Sequence, residues 1–578
     1  MGCFNTVWSK AKSKVQSWHK TEFIASKVRD PIFGNIITMS IAETAAYRII
    51  MQDVRVGLLP SYAPYLLISI VAMFEAILGP LVAWCGYKTR KRMLLGWSFG
   101  FILASFCWFT IPSPDKLEES EFCEYPTVNT YILFVGLPAR TAVRMVVTVF
   151  VAICFCLARV ATWSHYIAYA DDQDPNKTTV AFGLLVIARV IPFIYGYKML
   201  SMIVEVTVLL KILIITLTTL LNIAKIYFVV PTSEQQIEAK APPMENRGFF
   251  RSLFRVLCNV LAMSQILSVA LLAAACWGFG FNEEEIVKTN YDINASNAGI
   301  IDHHVEFFRY LCAILGVVYI GVKYSSPIRT EYEIPRALKH ISKMTLIAAI
   351  MYIVIVMVPP CNKGRVAGLE NSNVYTHPQC SLSCGCVPKW NEYNPVCVVD
   401  TMTTYLSPCE AGCTGSFAID NLMVYSNCSC AGPSGRVAPG SCSYFNCQTG
   451  YNFHKTASAA IVILSVLAFQ SQGMVILKSV DPRDKSIAMG MMWSVIAAVS
   501  YVCANNIFLS IAWKTCSWYT GDKCQLYEQR FSYIIGFTCA GLVFIALVIN
   551  FVAIGYLRLK NRRAEDRNVD NEERTVIE

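Results

Sequence analysis

Ionisable side chains stand inside stretches that are otherwise apolar, among them Glu43, Arg48, Glu75, Arg159, His165, Arg189 and, near the end of its stretch, Lys211. A charge in hydrocarbon is costly, so residues of this kind pair with one another or face a polar path. Arg159 and Arg189 lie deepest in their stretches, and a guanidinium matches the planar, two-oxygen geometry of a carboxylate or sulfate. They are the first candidates for contacting an anion. Glu43, Arg48 and Glu75 either join them or pair among themselves and lock the first two stretches together. His165 lies near the end of its stretch, and histidine can change charge near neutral pH. Cysteine carries a second chemistry. Eleven cysteines fall within 361–447, namely Cys361, Cys380, Cys384, Cys386, Cys397, Cys409, Cys413, Cys428, Cys430, Cys442 and Cys447, and Cys516 and Cys524 form a later close pair. A disulfide framework of this density belongs to an oxidising compartment. Cys123 makes the count even and could bridge to Cys361, although connectivity cannot be read from spacing.

The elements that must position these residues are membrane spans. Of the 578 residues, 55% are hydrophobic and 15% charged, against about 25% charged in an average soluble domain. The apolar residues gather in runs of about 20, the length of a membrane-crossing helix. Twelve such runs lie near 31–51, 65–85, 93–111, 145–168, 179–199, 204–229, 256–279, 305–323, 342–359, 455–478, 487–513 and 532–557. Basic residues collect at alternate connections: Lys88 to Arg92, Arg247 to Arg255, Arg329 to Lys343, Lys478 to Lys485 and Arg558 to Arg563. The positive-inside bias then puts both termini in the cytoplasm and the cysteine-rich segment outside. The charge bias and the oxidising compartment that the cysteines need give the same orientation.

The expected fold is all-α: twelve spans in two six-helix halves of the major-facilitator type, with a small disulfide-rich outer domain. The divisions are a cytoplasmic segment over 1–30, a first half over 31–229, a linker over 230–255, helices seven to nine over 256–360, the cysteine-rich domain over 361–453, helices ten to twelve over 454–557 and a tail over 558–578. The net charge of +9 sits at span ends and does not indicate nucleic acid. No nucleotide-binding Gly-Lys-Ser/Thr loop and no catalytic constellation is found, so neither an enzyme nor a cofactor is expected. Clustered cysteines without a paired histidine motif favour disulfides over metal. Asn294-Ala295-Ser296 and Asn427-Cys428-Ser429 are outward-facing glycosylation sequons.

Within the cysteine-rich segment, Pro395-Val396-Cys397, Thr404-Tyr405 and Cys409-x3-Cys413 resemble a Kazal-type module. Val398 and Thr401 stand where such inhibitors usually carry glycine, so the resemblance implies a structural cap rather than an inhibitor. The same motifs together with Ser407-Pro408-Cys409 and Tyr425-Ser426-Asn427-Cys428-Ser429-Cys430 resemble the organic anion transporting polypeptides. Tyr169-Ala170-Asp171-Asp172, the connection 476–491 and the segment from Thr515-Cys516 to Arg530-Phe531 extend that resemblance. It implies sodium-independent movement of amphipathic organic anions, such as steroid conjugates and bile-salt-like or eicosanoid-like solutes, by alternating access. It also implies a plasma-membrane location, basolateral in a polarised cell. The chain departs from the family pattern in two places. No tryptophan occurs between Ser164 and Cys276, where the family carries a tryptophan-rich signature, and Ala497 stands where members commonly carry arginine in span eleven. These departures imply a divergent member with altered substrates, or a non-transporting membrane protein that displays its Kazal-like module as a binding or inhibitory surface.

Overall fold

Long apolar stretches satisfy their backbone groups within one segment by becoming helices, and these dominate the computed structural model of the chain. The structure describes residues 63–85, 139–173, 178–186, 248–291, 311–317, 334–361, 365–369, 375–384, 394–419, 422–442, 448–520 and 523–577, with the single positions 123, 217, 220, 319 and 386. The principal helices are α1 (Ala63–Cys85), α2 (Ala139–Gln173), α3 (Phe249–Leu257), α4 (Val260–Tyr291), α5 (Ile334–Met357), α6 (Gln448–Ser479), α7 (Lys485–Ile496), α8 (Asn505–Lys514) and α9 (Gln529–Ile577). Among the described residues, seven helical segments are long and apolar enough to cross a membrane, with α7 and α8 counted as one segment, Lys485–Lys514. The expected spans near 31–51, 93–111 and 204–229 lie outside the described residues, apart from positions 217 and 220 in the last.

Two boundaries differ from the sequence reading. Helix α4 continues to Tyr291, through Glu283-Glu284-Glu285, which hydropathy assigns to a connection. Lys455 lies 3.6 Å from Glu283, and Lys288 lies 3.7 Å from Glu285, so these carboxylates are matched by cations while the helix runs on. Helix α5 begins at Ile334, so Arg336, Lys339 and Lys343 ride on its first turns rather than in a loop. A further feature has no sequence signature: Ala497–Ala504, between α7 and α8, is π-helical. Such stretches widen the helix and are frequent at functional sites.

One continuous core runs through α2, α4, α5, α6, α7 and α9, and includes Trp163, Phe182, Tyr352, Phe508 and Phe531 at 1% exposure or less. Helices α1 and α7 cross where both carry glycine. A Cβ at Gly79 would run into Ser494 Oγ, and one at Gly490 into the Cβ of Ala83. Small residues let helices approach closely in lipid, where packing rather than hydrophobicity drives association.

The cysteine-rich segment caps one end of the bundle. Its sheet has the order β1–β3–β2–β6, with β1 (Arg365–Val366), β2 (Val396–Val398), β3 (Thr403–Tyr405) and β6 (Ala438–Pro439). Strands β1 and β3 are parallel, and the other pairs are antiparallel. A hairpin of β4 (Gly415–Ile419) and β5 (Leu422–Ser426) lies beside it. The core of this unit is thin: Val396, Val398, Ala411, Tyr425 and Val437 are its main buried side chains other than cysteine. Disulfides supply the remaining constraint. They join Cys380–Cys430, Cys386–Cys409, Cys397–Cys442 and Cys413–Cys428. Cys123 bonds to Cys384 rather than to Cys361. Cys361 is also disulfide-bonded, and Cys447 lies outside the described residues. Beyond α8, β7 (Cys516–Thr520) and β8 (Lys523–Tyr527) form a hairpin closed by Cys516–Cys524.

Candidate functional site

Helix α1 is built from apolar residues except near its midpoint, where Glu75 stands 1% exposed. At 1.5 Å rise per residue this is about 18 Å from the start of the helix and about 15 Å from its end. A carboxylate there needs a partner, and α2 provides one. Arg159 Nη2 forms an ion pair with Glu75 Oε2. The Cys156 thiol, one turn earlier on α2, donates to the same oxygen at 2.7 Å. The guanidinium also lies over the Trp493 ring of α7, 5.3 Å from its centroid. Trp493 in turn meets Trp163 edge-on at 5.1 Å. One turn along from Trp493 is Ala497, fully buried. Glu75 Oε1 is buried and has no partner among the described residues. At mid-span the described helices therefore hold a carboxylate–guanidinium pair walled by indole rings, a mutually neutralised pair in an apolar surround.

The residues named from sequence divide as follows. Glu75 and Arg159 meet, so Glu75 pairs across helices with Arg159. His165 is completely buried on α2, about 9 Å further along the helix axis than Arg159. Glu43, Arg48, Arg189 and Asn294 lie outside the described residues. Asn427 is exposed in a turn with φ of 53°, and the Ser429 hydroxyl of its sequon donates to the Cys380 carbonyl at 2.7 Å.

A second charged cluster lies at the end of the bundle away from the disulfides. Asp171, at the close of α2, is 1% exposed. Lys478 Nζ at the end of α6 lies 2.8 Å from its Oδ1, and Lys485 Nζ at the start of α7 lies 2.5 Å from its Oδ2. Beside it, Arg255 of α3 makes two bonds to Asp484, 2.7 Å from Nε to Oδ2 and 2.9 Å from Nη2 to Oδ1. That contact raises the Arg255 pKa above its ordinary value. Asn259 Nδ2 donates to the Ser479 carbonyl at 2.6 Å. In the sequence these lysines read as topological markers and Asp171 as part of a motif. Their pairing was not legible, because 307 positions separate Lys478 from Asp171.

At the disulfide end, Glu410 is buried at 3% exposure. It accepts a bond from the Tyr375 hydroxyl at 2.6 Å, and His377 Nδ1 lies 3.1 Å from its other oxygen. Burial first, and then the Glu410 carboxylate, push the Tyr375 phenol well above its usual range. Tyr375 also packs on Trp518 of the β7–β8 hairpin at 5.4 Å, and its amide donates to the Ser517 carbonyl at 3.0 Å. The cysteine-rich unit is thus tied by a disulfide to Cys123 and by aromatic packing to the hairpin after α8.

Long apolar helices with a buried ion pair at mid-span, and with ion pairs and disulfides at their ends, define a polytopic membrane protein. Residues 225–530, just over half of the chain, match the profile of the Organic Anion Transporter Polypeptide (OATP) family, and the chain belongs to that family. It is 25% identical over 359 residues to the rat solute carrier organic anion transporter family member 1B2, covering 57% of this chain and 50% of that protein. It is 26% identical over 362 residues to human member 1B3, covering 57% and 49%. Against Drosophila melanogaster member 74D it is 27% identical over 213 residues, covering 34% and 25%. The chain spans about half the length of the first of these curated relatives. The fold is similar to a bacterial homologue of the iron transporter ferroportin in its outward-facing state, with a TM-score of 0.50, 10% identity, and coverage of 90% of this chain and 98% of that one. The relatives and this structural neighbour are transporters rather than enzymes.

Proposed function

We propose that the chain carries amphipathic organic anions across the plasma membrane by alternating access, without sodium coupling. The observation that carries this reading is the Glu75–Arg159 pair set against Trp493. A sulfate or carboxylate competes with Glu75 for the guanidinium, and the hydrophobic body of the same solute lies along the indole surface. A lone cation would be too costly at this depth, so Glu75 neutralises Arg159 when no anion is bound. Arg189, Glu43, Arg48 and His165 complete the candidate lining, and steroid conjugates, bile-salt-like and eicosanoid-like solutes have the matching shape.

In this reading the chain forms twelve spans in two six-helix halves, with both termini cytoplasmic and the protein on the basolateral face of polarised cells. The Asp171 cluster joins span four to spans ten and eleven and closes the cytoplasmic side. The cysteine-rich segment is a Kazal-like outer cap, glycosylated at Asn427 and Asn294.

A second reading, a non-transporting protein that displays this cap, draws on Ala497, whose small buried side chain leaves its helix without the arginine common in the family. Uptake of labelled steroid sulfate by cells expressing wild type, Arg159→Ala or a chain lacking 380–413 separates the two. Transport predicts wild-type uptake that Arg159→Ala abolishes. No wild-type uptake over a broad anion panel sinks it.

A further inference from the structure

We propose that the ends of α5 and α9 away from the disulfides form a docking site for an anionic phospholipid headgroup of the cytoplasmic leaflet. Arg336, Lys339 and Lys343 contribute one side and Arg558, Arg562 and Arg563 the other. The proposal rests on the orientation given above.

Helices α5 and α9 pack side by side and run antiparallel. They touch where Gly536 has room only because it lacks a Cβ, which would run into Val356. Twenty residues from that crossing, toward the end opposite the disulfides, stand Arg336 on α5 and Tyr556 on α9. The two basic groups therefore lie at neighbouring depths on packed helices.

The outer face of α5 is a single apolar stripe of Leu346, Ile350, Ile353 and Met357, each 41% to 67% exposed. Such a stripe faces lipid in a membrane-spanning bundle. Continued by helical steps of three and four, it passes through Lys343, Lys339 and Arg336, all exposed. These cations therefore sit on the lipid-facing side, where long arms reach up to the headgroups. On α9 the matching stripe of Val552, Tyr556 and Leu559 runs into Arg562 and Arg563, with Arg558 exposed beside it. Tyrosine at that level is the residue type of the membrane interface.

Topological bias alone does not explain this arrangement. Other cations at the same end are neutralised by protein: Lys478 and Lys485 by Asp171, and Arg255 by Asp484. None of the six cations on α5 and α9 forms an ion pair among the described residues. Two unneutralised basic clusters on adjacent lipid-facing stripes suit a headgroup with several negative charges.

The full chain is reconstituted in phosphatidylcholine nanodiscs containing a photoactivatable phosphatidylinositol bisphosphate. Crosslinking is expected on peptides covering 334–343 and 556–563, and to weaken with salt. Each cation contributes about fivefold to binding, so Arg336→Gln/Lys339→Gln/Lys343→Gln and Arg558→Gln/Arg562→Gln/Arg563→Gln each lower labelling by roughly a hundredfold. If a triple variant fails to insert, Lys339→Gln still loses about fivefold, while Lys339→Arg keeps wild-type labelling. Equal labelling by a photoactivatable phosphatidylcholine, labelling elsewhere on the chain, or variants that label like wild type overturn the proposal. Anion uptake is read separately. Labelling at these peptides without uptake supports the lipid site and counts against transport, and uptake without labelling overturns the lipid site alone.

Discussion

Arg159 is held by three groups at once: the Glu75 carboxylate, the Cys156 sulfur and the Trp493 ring. Truncating it strands a buried carboxylate, which costs about 3–5 kcal/mol. Arg159→Ala should therefore lower the thermal midpoint of the purified protein sharply. Glu75→Gln combined with Arg159→Met removes both charges and should recover most of that loss while uptake stays absent. A double variant as unstable as Arg159→Ala contradicts the pairing. Tyr375 gives a pH-dependent case. Burial and Glu410 raise its phenol above the unfolded value of about 10. Its contribution is complete below that pH and is lost as pH rises above it. Tyr375→Phe should cost about 1–3 kcal/mol near neutrality. Its melting curve should fall less steeply than wild type above pH 10. Parallel alkaline curves would mean that Tyr375 is not the group titrating.

The cluster at Asp171 fastens the end of α2 to α6 and α7. Asp171→Asn leaves both lysines without their carboxylate and should favour a state open at that end. Labelling of the buried Cys156 thiol by a polar maleimide, read by peptide mapping, should then accelerate severalfold, and an unchanged rate would show that the cluster does not hold the end closed. Among the described residues the helices are largely legible in the sequence, because apolar length is a strong signal. The expected 65–85 and 455–478 sit inside α1 and α6. The boundaries failed where charge ends the hydropathy run but not the helix, as at Glu283 to Glu285 and at Arg336 to Lys343. The π-helical Ala497–Ala504 was invisible because its residues are ordinary helix-compatible types. The Arg159 candidate was legible from its cost in lipid. Its partner was not, because Glu75 lies 84 positions away and nothing local marks the pair.

At the scale of the molecule, two long-range attachments hold the cysteine-rich unit, in addition to the Cys361 amide bond to the Asn290 carbonyl of α4, among the described residues. Cys123–Cys384 spans 261 positions, and Tyr375 and Leu406 pack against the hairpin carrying Trp518 and Leu526. The abundance of cysteine announced this unit, but its two attachments depend on pairings that spacing cannot give. Beneath it, among the described residues, the Arg159 guanidinium lies against an aromatic wall, and the proposed transport of amphipathic anions turns on that group. The most direct test is uptake of a labelled steroid sulfate into proteoliposomes in sodium-free buffer, comparing wild type with Glu75→Gln/Arg159→Met, the variant expected to fold. The proposed mechanism predicts saturable wild-type uptake and none above empty liposomes for the variant. Equal uptake by the two proteins, or none by wild type across a broad anion panel, would contradict it.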